Sequence, residues 1–584
     1  MEFDSAASPA GRARGAPGWR LRTAVALLAS LLVVPFVSPY HRLPLPSFVE
    51  EAMAGALGLL GAALVLALTG RRVPFPLIGL LPLGLLLALC AGAVLREQDG
   101  SALALRALYL VYATLLIWAG HALRERLGED RLAAALAYAA VAGGLAAAAL
   151  GALSIVPGVE SPLVMHRWDA RVVGNIGQAN HFAAHLWIAL AGAVYLGLSS
   201  RLRPAWVAAI AMPLTTMSAF SGSRASFVYA LAIAAALTWH ALANARAQRR
   251  RGFTMLGILV MSVLAGNALS LAPLPSAAGQ PPDTAVARIN AELLAGRATP
   301  PVRRVMAEQS WRVAMDAPLW GVGAGQLPRA AFARTAELAG GSFAEPFEHA
   351  HNLFLQLAAE LGVPSALFAA AMLIALAARS WPRGARPAAL FIGSIGVIIF
   401  LHSQIEYPLW YAHFLGIFAL ALGALETRCL APSAPPYAAA GAAVLALVAG
   451  GAVLGVLVRD FALIQSDFDA VDRRTYLASA ANRPPQCVGE VRLLRNPCRY
   501  VAFLGTPASD LAAADAATLR AAHFHPWREV VFKLAVAQAA AGRQAEAERL
   551  WRNSRIAYPD EHRRAAEELR YFIRRGYVPE VRLD

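Results

Sequence analysis

Residues 437–458 read YAAAGAAVLALVAGGAVLGVLV, a run without one charged side chain that closes on Arg459-Asp460. A helix needs about 17–25 such residues to cross a bilayer, since each backbone N–H and C=O must be satisfied within the segment where water does not reach. The stretch therefore reads as a membrane-spanning helix. Further apolar segments of that length lie at 23–39, 52–69, 73–95, 102–122, 131–156, 178–199, 204–220, 223–243, 253–273, 362–379, 386–403 and 408–427, about thirteen spans in all. A hydrophobic fraction of 58%, only 15% charged residues and a mean hydropathy of +0.50 exclude an ordinary soluble globular chain. The expected fold is all-α, a polytopic membrane helix bundle of about thirteen transmembrane helices.

Orientation follows from the arginines. Arg12, Arg14, Arg20 and Arg22 precede the first span, and alternate loops carry Arg71/Arg72, Arg124/Arg126/Arg131, Arg201/Arg203, Arg246/Arg249/Arg250/Arg251, Arg379/Arg383/Arg386 and Arg428. These basic loops belong on the cytoplasmic side, and they account for most of the net charge of +15 without any nucleic acid. No Ala-x-Ala-like site follows residues 23–39, so that segment is expected to stay as an anchor rather than act as a cleaved signal. The expected organisation is a cytoplasmic N-terminus (1–22), a membrane domain (23–458) with a long outer loop (274–361), and an outer helical domain (459–584). Cys487 and Cys498 fall in that last region and could pair in an oxidising compartment, whereas Cys90 and Cys429 lie in or beside spans. Within 527–571 a helical pair punctuated by Gly542 resembles one tetratricopeptide-like unit, and Asp467-Phe468-Asp469 reads as a solvated helix face.

The same topology sends the unusual polar residues to the outer side. Glu348-His349-Ala350-His351-Asn352 places two imidazoles, a carboxylate and a carboxamide within five positions, and Leu353, Phe354, Leu357 and Leu361 follow at helical spacing. Such side chains hold or move protons near neutral pH. His-x-His also suits a metal, but no Cys/His partner set lies nearby and zinc takes at least three protein ligands, so neither metal nor other cofactor is expected. Arg171, the run Gly174 to His181 with Gln178, Asn180 and His181, Arg224 after Ser221-Gly222-Ser223, and Arg303, Arg304 and Arg312 on a helix-compatible stretch land on the same side. His402 to Tyr407, with Glu406 and Tyr407, joins them. Guanidinium forks match phosphate oxygens, so several outer arginines suggest an anionic ligand; attachment to anionic lipid heads is the competing account. Gly321-Val322-Gly323-Ala324-Gly325 lacks the Gly-Lys-Ser/Thr of a phosphate loop and is not read as a nucleotide site.

Gly174-Asn175 through Gln178-Ala179-Asn180-His181-Phe182, Ser221-Gly222-Ser223-Arg224, Arg304 ahead of Pro318-Leu319-Trp320-Gly321-Val322-Gly323, the His349-Ala350-His351-Asn352 block and Glu406-Tyr407-Pro408-Leu409-Trp410-Tyr411 together resemble the PglL-type bacterial O-oligosaccharyltransferases. These belong to the superfamily that also holds O-antigen ligases and polymerases. The resemblance covers residues 160–430, and Ala179 departs from it where relatives often carry proline. It implies transfer of a preassembled glycan from undecaprenyl diphosphate to serine or threonine hydroxyls of a pilin-like or other periplasmic or membrane protein. It also implies the bacterial inner membrane, an active site on the periplasmic side, surrounding membrane lipids, and neither metal nor nucleotide sugar. In that scheme His351 is the base or hydroxyl-orienting group, and Glu348 and His349 tune it. Arg224 and Arg304 hold the diphosphate, with Arg303 and Arg312 as stand-ins, and Arg171, Gln178, Asn180, His181, Asn352, Glu406 and Tyr407 line the substrate site. The rivals are an O-antigen ligase or a polymerase, which differ in acceptor, a transporter or flippase, and a non-catalytic scaffold. Transport usually leaves charges near mid-membrane, whereas here they crowd the outer ends.

Overall fold

The computed structural model describes residues 18–584 apart from 69–73, 97–99, 166–169, 272–282, 295–301, 339–346, 384, 431–435, 474–475, 478, 515–527, 577, 579, 581–582 and 584. Arg12, Arg14, Arg71, Arg72 and Trp527 lie outside the described residues. The membrane part is built from α1 (Trp19–Ala29) and α2 (Val34–Val37), which form one broken span, then α3 (Phe48–Ala67), α4 (Leu80–Leu95), α5 (Gly100–Leu127), α6 (Glu129–Leu153), α7 (Ala179–Leu198), α8 (Pro204–Phe220), α9 (Ala225–Ala243) and α10 (Arg246–Ser270). The long loop carries α11 (Ala285–Leu294), α12 (Val302–Asp316), α13 (Leu327–Ala333) and α14 (Leu353–Leu361), and the bundle resumes with α15 (Val363–Ser380), α16 (Pro387–His402), α17 (Ala412–Leu425) and α18 (Pro436–Asp469).

Ten helical segments among the described residues are long and apolar enough to cross a membrane, against about thirteen expected. The other three expected spans are the shorter helices α8, α16 and α17, of 17, 16 and 14 residues. They reach about 25, 24 and 21 Å, against a hydrocarbon core of about 30 Å. On the side of the polar segments α8 stops at Phe220, α16 stops at His402 and α17 starts at Ala412. A helix can end at that depth only where its terminal groups find partners. Here Val172 N–H donates to the Phe220 carbonyl at 3.0 Å and Leu353 N–H to the Ser403 carbonyl at 2.8 Å. The polar segments are thereby recessed into one end of the bundle.

Close packing explains the small residues of the early spans. A Cβ on Gly143 would stand 2.1 Å from the Leu32 carbonyl oxygen, and one on Gly144 would stand 2.2 Å from the Ala189 Cβ. Glycine there lets α6 seat directly on α7, which is buried along almost its whole length. At the opposite end Arg379 pairs with Glu426, Arg124 donates to the Glu426 carbonyl at 2.7 Å, and Arg383 and Arg386 approach Glu129. The arginine-rich loops and the polar segments thus occupy opposite ends, as the alternation of basic loops predicts.

Gly321 to Gly325 form a backbone strap rather than a ligand loop. Val322 and Gly323 N–H donate to the carbonyls of Ala359 and Glu360 at 2.8 and 3.1 Å, and the Glu360 carboxylate accepts from the backbone of Gly325 and Leu327. Gly321 is left-handed at φ +67°, and a Cβ there would lie 2.3 Å from the Glu360 carbonyl carbon. Only glycine fits.

Helix α18 runs on past Arg459 to Asp469 and enters a second hydrophobic cluster. That cluster is completed by α19 (Arg495–Leu504), α20 (Arg528–Ala540), α21 (Gln544–Ala557) and α22 (Pro559–Arg574), with Gly542 at φ +75° in the turn between α20 and α21. Cys487 and Cys498 are joined in a disulfide. The Asp467-Phe468-Asp469 expectation needs correction. Asp467 is buried, accepts from Arg483 and from Cys487 N–H, both at 2.7 Å, and so anchors the segment that follows. Phe332 of α13 joins this cluster, and Asn553 of α21 donates to its carbonyl at 2.9 Å.

Candidate active site

The centre is Glu406, in the loop between α16 and α17. Its carboxylate is only 4% exposed and accepts from Asn180 Nδ2 at 2.6 Å, Arg303 Nη2 at 2.6 Å and His351 Nδ1 at 3.0 Å. Asn180 Oδ1 in turn accepts from Ser223 Oγ at 2.7 Å. Five segments far apart in sequence therefore meet on one carboxylate and its first neighbour. Burial alone would push the Glu406 carboxyl up, but the hydrogen bond from His351 and the charge of Arg303 more than offset it and hold the group below the ordinary carboxylate range. An anion is therefore fixed there, and a proton on His351 Nδ1 leaves Nε2 as the acceptor nitrogen.

His351 is held in an unusual backbone state. Its φ is +50°, in the left-handed region that non-glycine residues seldom adopt, which stores strain where a side chain must be aimed. The neighbouring Asn352 holds the geometry: it caps α14, its Oδ1 accepting from Phe354 N–H at 3.1 Å and Leu355 N–H at 3.0 Å, while its Nδ2 donates to Gln404 Oε1 at 3.1 Å. The two segments that carry His351 and Glu406 are thus tied together by His351–Glu406, by Asn352–Gln404 and by the Leu353 N–H bond to the Ser403 carbonyl. The His351 side chain is 20% exposed, so a ligand can reach it.

Tyr407 separates the two histidines. His349 stacks on one face of its ring at 4.0 Å between centroids, and His351 meets it edge-on at 5.2 Å. Burial carries His349 down to about 4, so its ring is neutral at pH 7 and wedges Tyr407 in place. Glu348 is exposed beside it.

The remaining expected site residues divide. Gln178 is a helix cap, its side chain accepting from His181 N–H, and His181 is buried edge-on against His402 and Tyr411 rather than facing solvent. The Arg171 stem lies along Gly222 and Arg288 donates to the Gly222 carbonyl at 3.1 Å, so the turn before the exposed Arg224 sits among arginines. Of the arginines on α12 it is Arg303 that reaches Glu406. Arg304 is exposed, about 100° further round the helix. Arg312 pairs with Glu308 at 2.7 Å, about 13 Å further along the axis. Ser223 and Gln404 had no role assigned from sequence, since only their contacts with Asn180 and Asn352 reveal one. No group of three or more His, Cys, Asp or Glu placed to hold a metal occurs among the described residues.

Residues 207–370 match the O-antigen ligase family model, and residues 391–570 match the model for the C-terminal region of virulence factor membrane-bound polymerases. No curated protein matches the chain. The first match takes in Arg224, Arg303 and His351 and the second takes in Glu406, so the contact network draws on both matched segments. Together the two matches support a membrane-embedded, glycan-transferring ligase or polymerase of the O-antigen ligase and polymerase superfamily.

Proposed function

We propose that this chain is a protein O-oligosaccharyltransferase of the bacterial inner membrane, which moves a preassembled glycan from undecaprenyl diphosphate to serine or threonine hydroxyls on the periplasmic side. The observation that carries this reading is the Asn180–Glu406–His351 network with Arg303 on the same carboxylate. Glu406 holds the His351 proton on Nδ1, and Nε2 takes the proton of the acceptor hydroxyl. The acceptor oxygen bonds to the anomeric carbon as the bond from that carbon to phosphate breaks, and its electron pair leaves on the diphosphate. Arg303, with 44% of its side chain exposed, retains N–H groups for that anion, and Arg304 and Arg224 stand exposed to share it. A single displacement of this kind inverts the anomeric centre. All of the chemistry is assigned to side chains of this chain.

The test is transfer by purified protein from a lipid-linked oligosaccharide, offered in parallel a pilin-like protein, lipid A core and a second lipid-linked glycan. Glycosylated protein is the expected product. Transfer to core lipid alone would make the chain a ligase, and chain extension alone a polymerase, as the matched family descriptions also allow. His351→Ala should lower the rate by about 10²–10⁴-fold with whichever acceptor is used.

A further inference from the structure

Two apolar cavities, of about 400 and 470 Å³, flank α5 between Leu105 and Ile117. The first lies between α4, α5, α14 and α17, and the second between α3, α5 and α18. Leu105, Tyr109 and Leu494 line both, so the two spaces adjoin at these residues, one on each side of α5. The charged residues lining the first, Arg106 and Glu360, attract one another.

The turn that brings Leu493 and Leu494 there is firmly built. The Asp460 carboxylate, buried at the end of the α18 span, accepts three backbone N–H groups through one oxygen: Arg492 at 3.0 Å, Leu493 at 2.7 Å and Leu494 at 3.1 Å. The Cys487–Cys498 disulfide closes the segment around this turn. Leu493 dips into the first cavity and Leu494 into both, while Arg492 and Arg495 on either side of them are exposed. Two apolar spaces thus adjoin at Leu494, which stands in sequence between two exposed cations.

We propose that this is a binding site for an anionic, two-chain phospholipid of the surrounding leaflet, one acyl chain on each side of α5 and the phosphate between Arg492 and Arg495. A paired apolar space fits two chains better than one, because a single chain fills one half and leaves the other without partner atoms. The cations select the charge of the headgroup. The bound lipid fills the seam between α5 and this turn, and so fastens the region after α18 to the bundle.

The experiment reconstitutes the full chain in vesicles of equal phosphatidylglycerol and phosphatidylcholine, extracts it in mild detergent and measures the retained lipid by mass spectrometry. Two arginines at a membrane surface, each contributing about fivefold, give an expected enrichment of phosphatidylglycerol of about twenty-fivefold. The Arg492→Ala/Arg495→Ala double variant, which keeps the backbone bonds to Asp460, should abolish that preference. Ala442→Trp, which narrows the second cavity, should reduce retained phosphatidylglycerol while sparing single-chain lysophosphatidylglycerol, and it tests the two-chain fit even if the double variant misfolds. Equal retention of both headgroups, unchanged selectivity in the double variant, equal loss of one-chain and two-chain lipid in Ala442→Trp, or recovery of a polyprenyl lipid instead would each overturn the assignment.

Discussion

Replacing Glu406 by glutamine keeps the side-chain volume and removes the charge on which the network converges. In the native site the carboxylate takes donors from Asn180, Arg303 and His351 at 2.6, 2.6 and 3.0 Å. The glutamine carbonyl would turn toward the Arg303 guanidinium and the Asn180 Nδ2, both of which donate to that oxygen while Asn180 Oδ1 stays engaged with Ser223 Oγ, and its amide N–H₂ would face His351 Nδ1. Nδ1 must then accept, the ring proton moves to Nε2, and Nε2 can no longer receive the proton of an acceptor hydroxyl. The expected loss is that of general-base assistance, about 10²–10⁴-fold in rate or about 2.7–5.4 kcal/mol of barrier. Folding should weaken by less: a hydrogen bond to a charged partner contributes about 1.5–3 kcal/mol, and the Arg303 share is reduced by its exposure to solvent. The assay is initial transfer rate against donor concentration, with thermal unfolding of the same preparation. kcat should fall while the donor KM stays nearly constant, and Glu406→Asp should lie between wild type and Glu406→Gln. A folded Glu406→Gln enzyme with kcat within about twofold of wild type would refute the role given to this carboxylate and to the His351 tautomer.

Arg303→Ala should raise the donor KM and lower kcat together. Arg312→Ala should leave both within about twofold, since an exposed i,i+4 pair contributes little; a ranking reversed in steady-state kinetics would remove Arg303 from the site. His349 sits near 4 against an ordinary 6.5, so between those values the unfolded chain binds a proton that the folded chain does not. Its contribution to stability is complete above pH 6.5 and is lost as the pH falls toward 4, and the melting temperature of His349→Gln should therefore drop less across that window than that of wild type. Gly321→Ala forces a Cβ against the Glu360 backbone at positive φ and should destabilise by at least about 1–2 kcal/mol in thermal melts.

Much of this was legible in linear order, and the failures are instructive. Apolar length marked all thirteen helices, but run length does not say where a helix stops. The end expected at residue 220 stands, with Val172 bonding its last carbonyl, whereas the span expected at 408–427 is helical only from Ala412 to Leu425. The His351 and Glu406 segments were recognisable as polar islands, yet Gln178 and Asn352 proved to be caps because each lies one position before a helix and can reach its free N–H groups. Arg304 was favoured over Arg303. Two adjacent residues on a helix point about 100° apart, and nothing in α12 itself says which direction faces Glu406.

From the order of residues alone came the membrane class, the separation of basic from site-bearing loops, and the side chains able to do acid–base and phosphate chemistry. Each depends on local composition: the length of an apolar run, the sign of a loop, the kind of side chain. Which groups touch was decided only when helices distant in sequence packed and their short ends left a recess. Hydrogen bonding acts over about 3 Å, a distance that only tertiary packing sets for residues 180, 223, 303, 351 and 406.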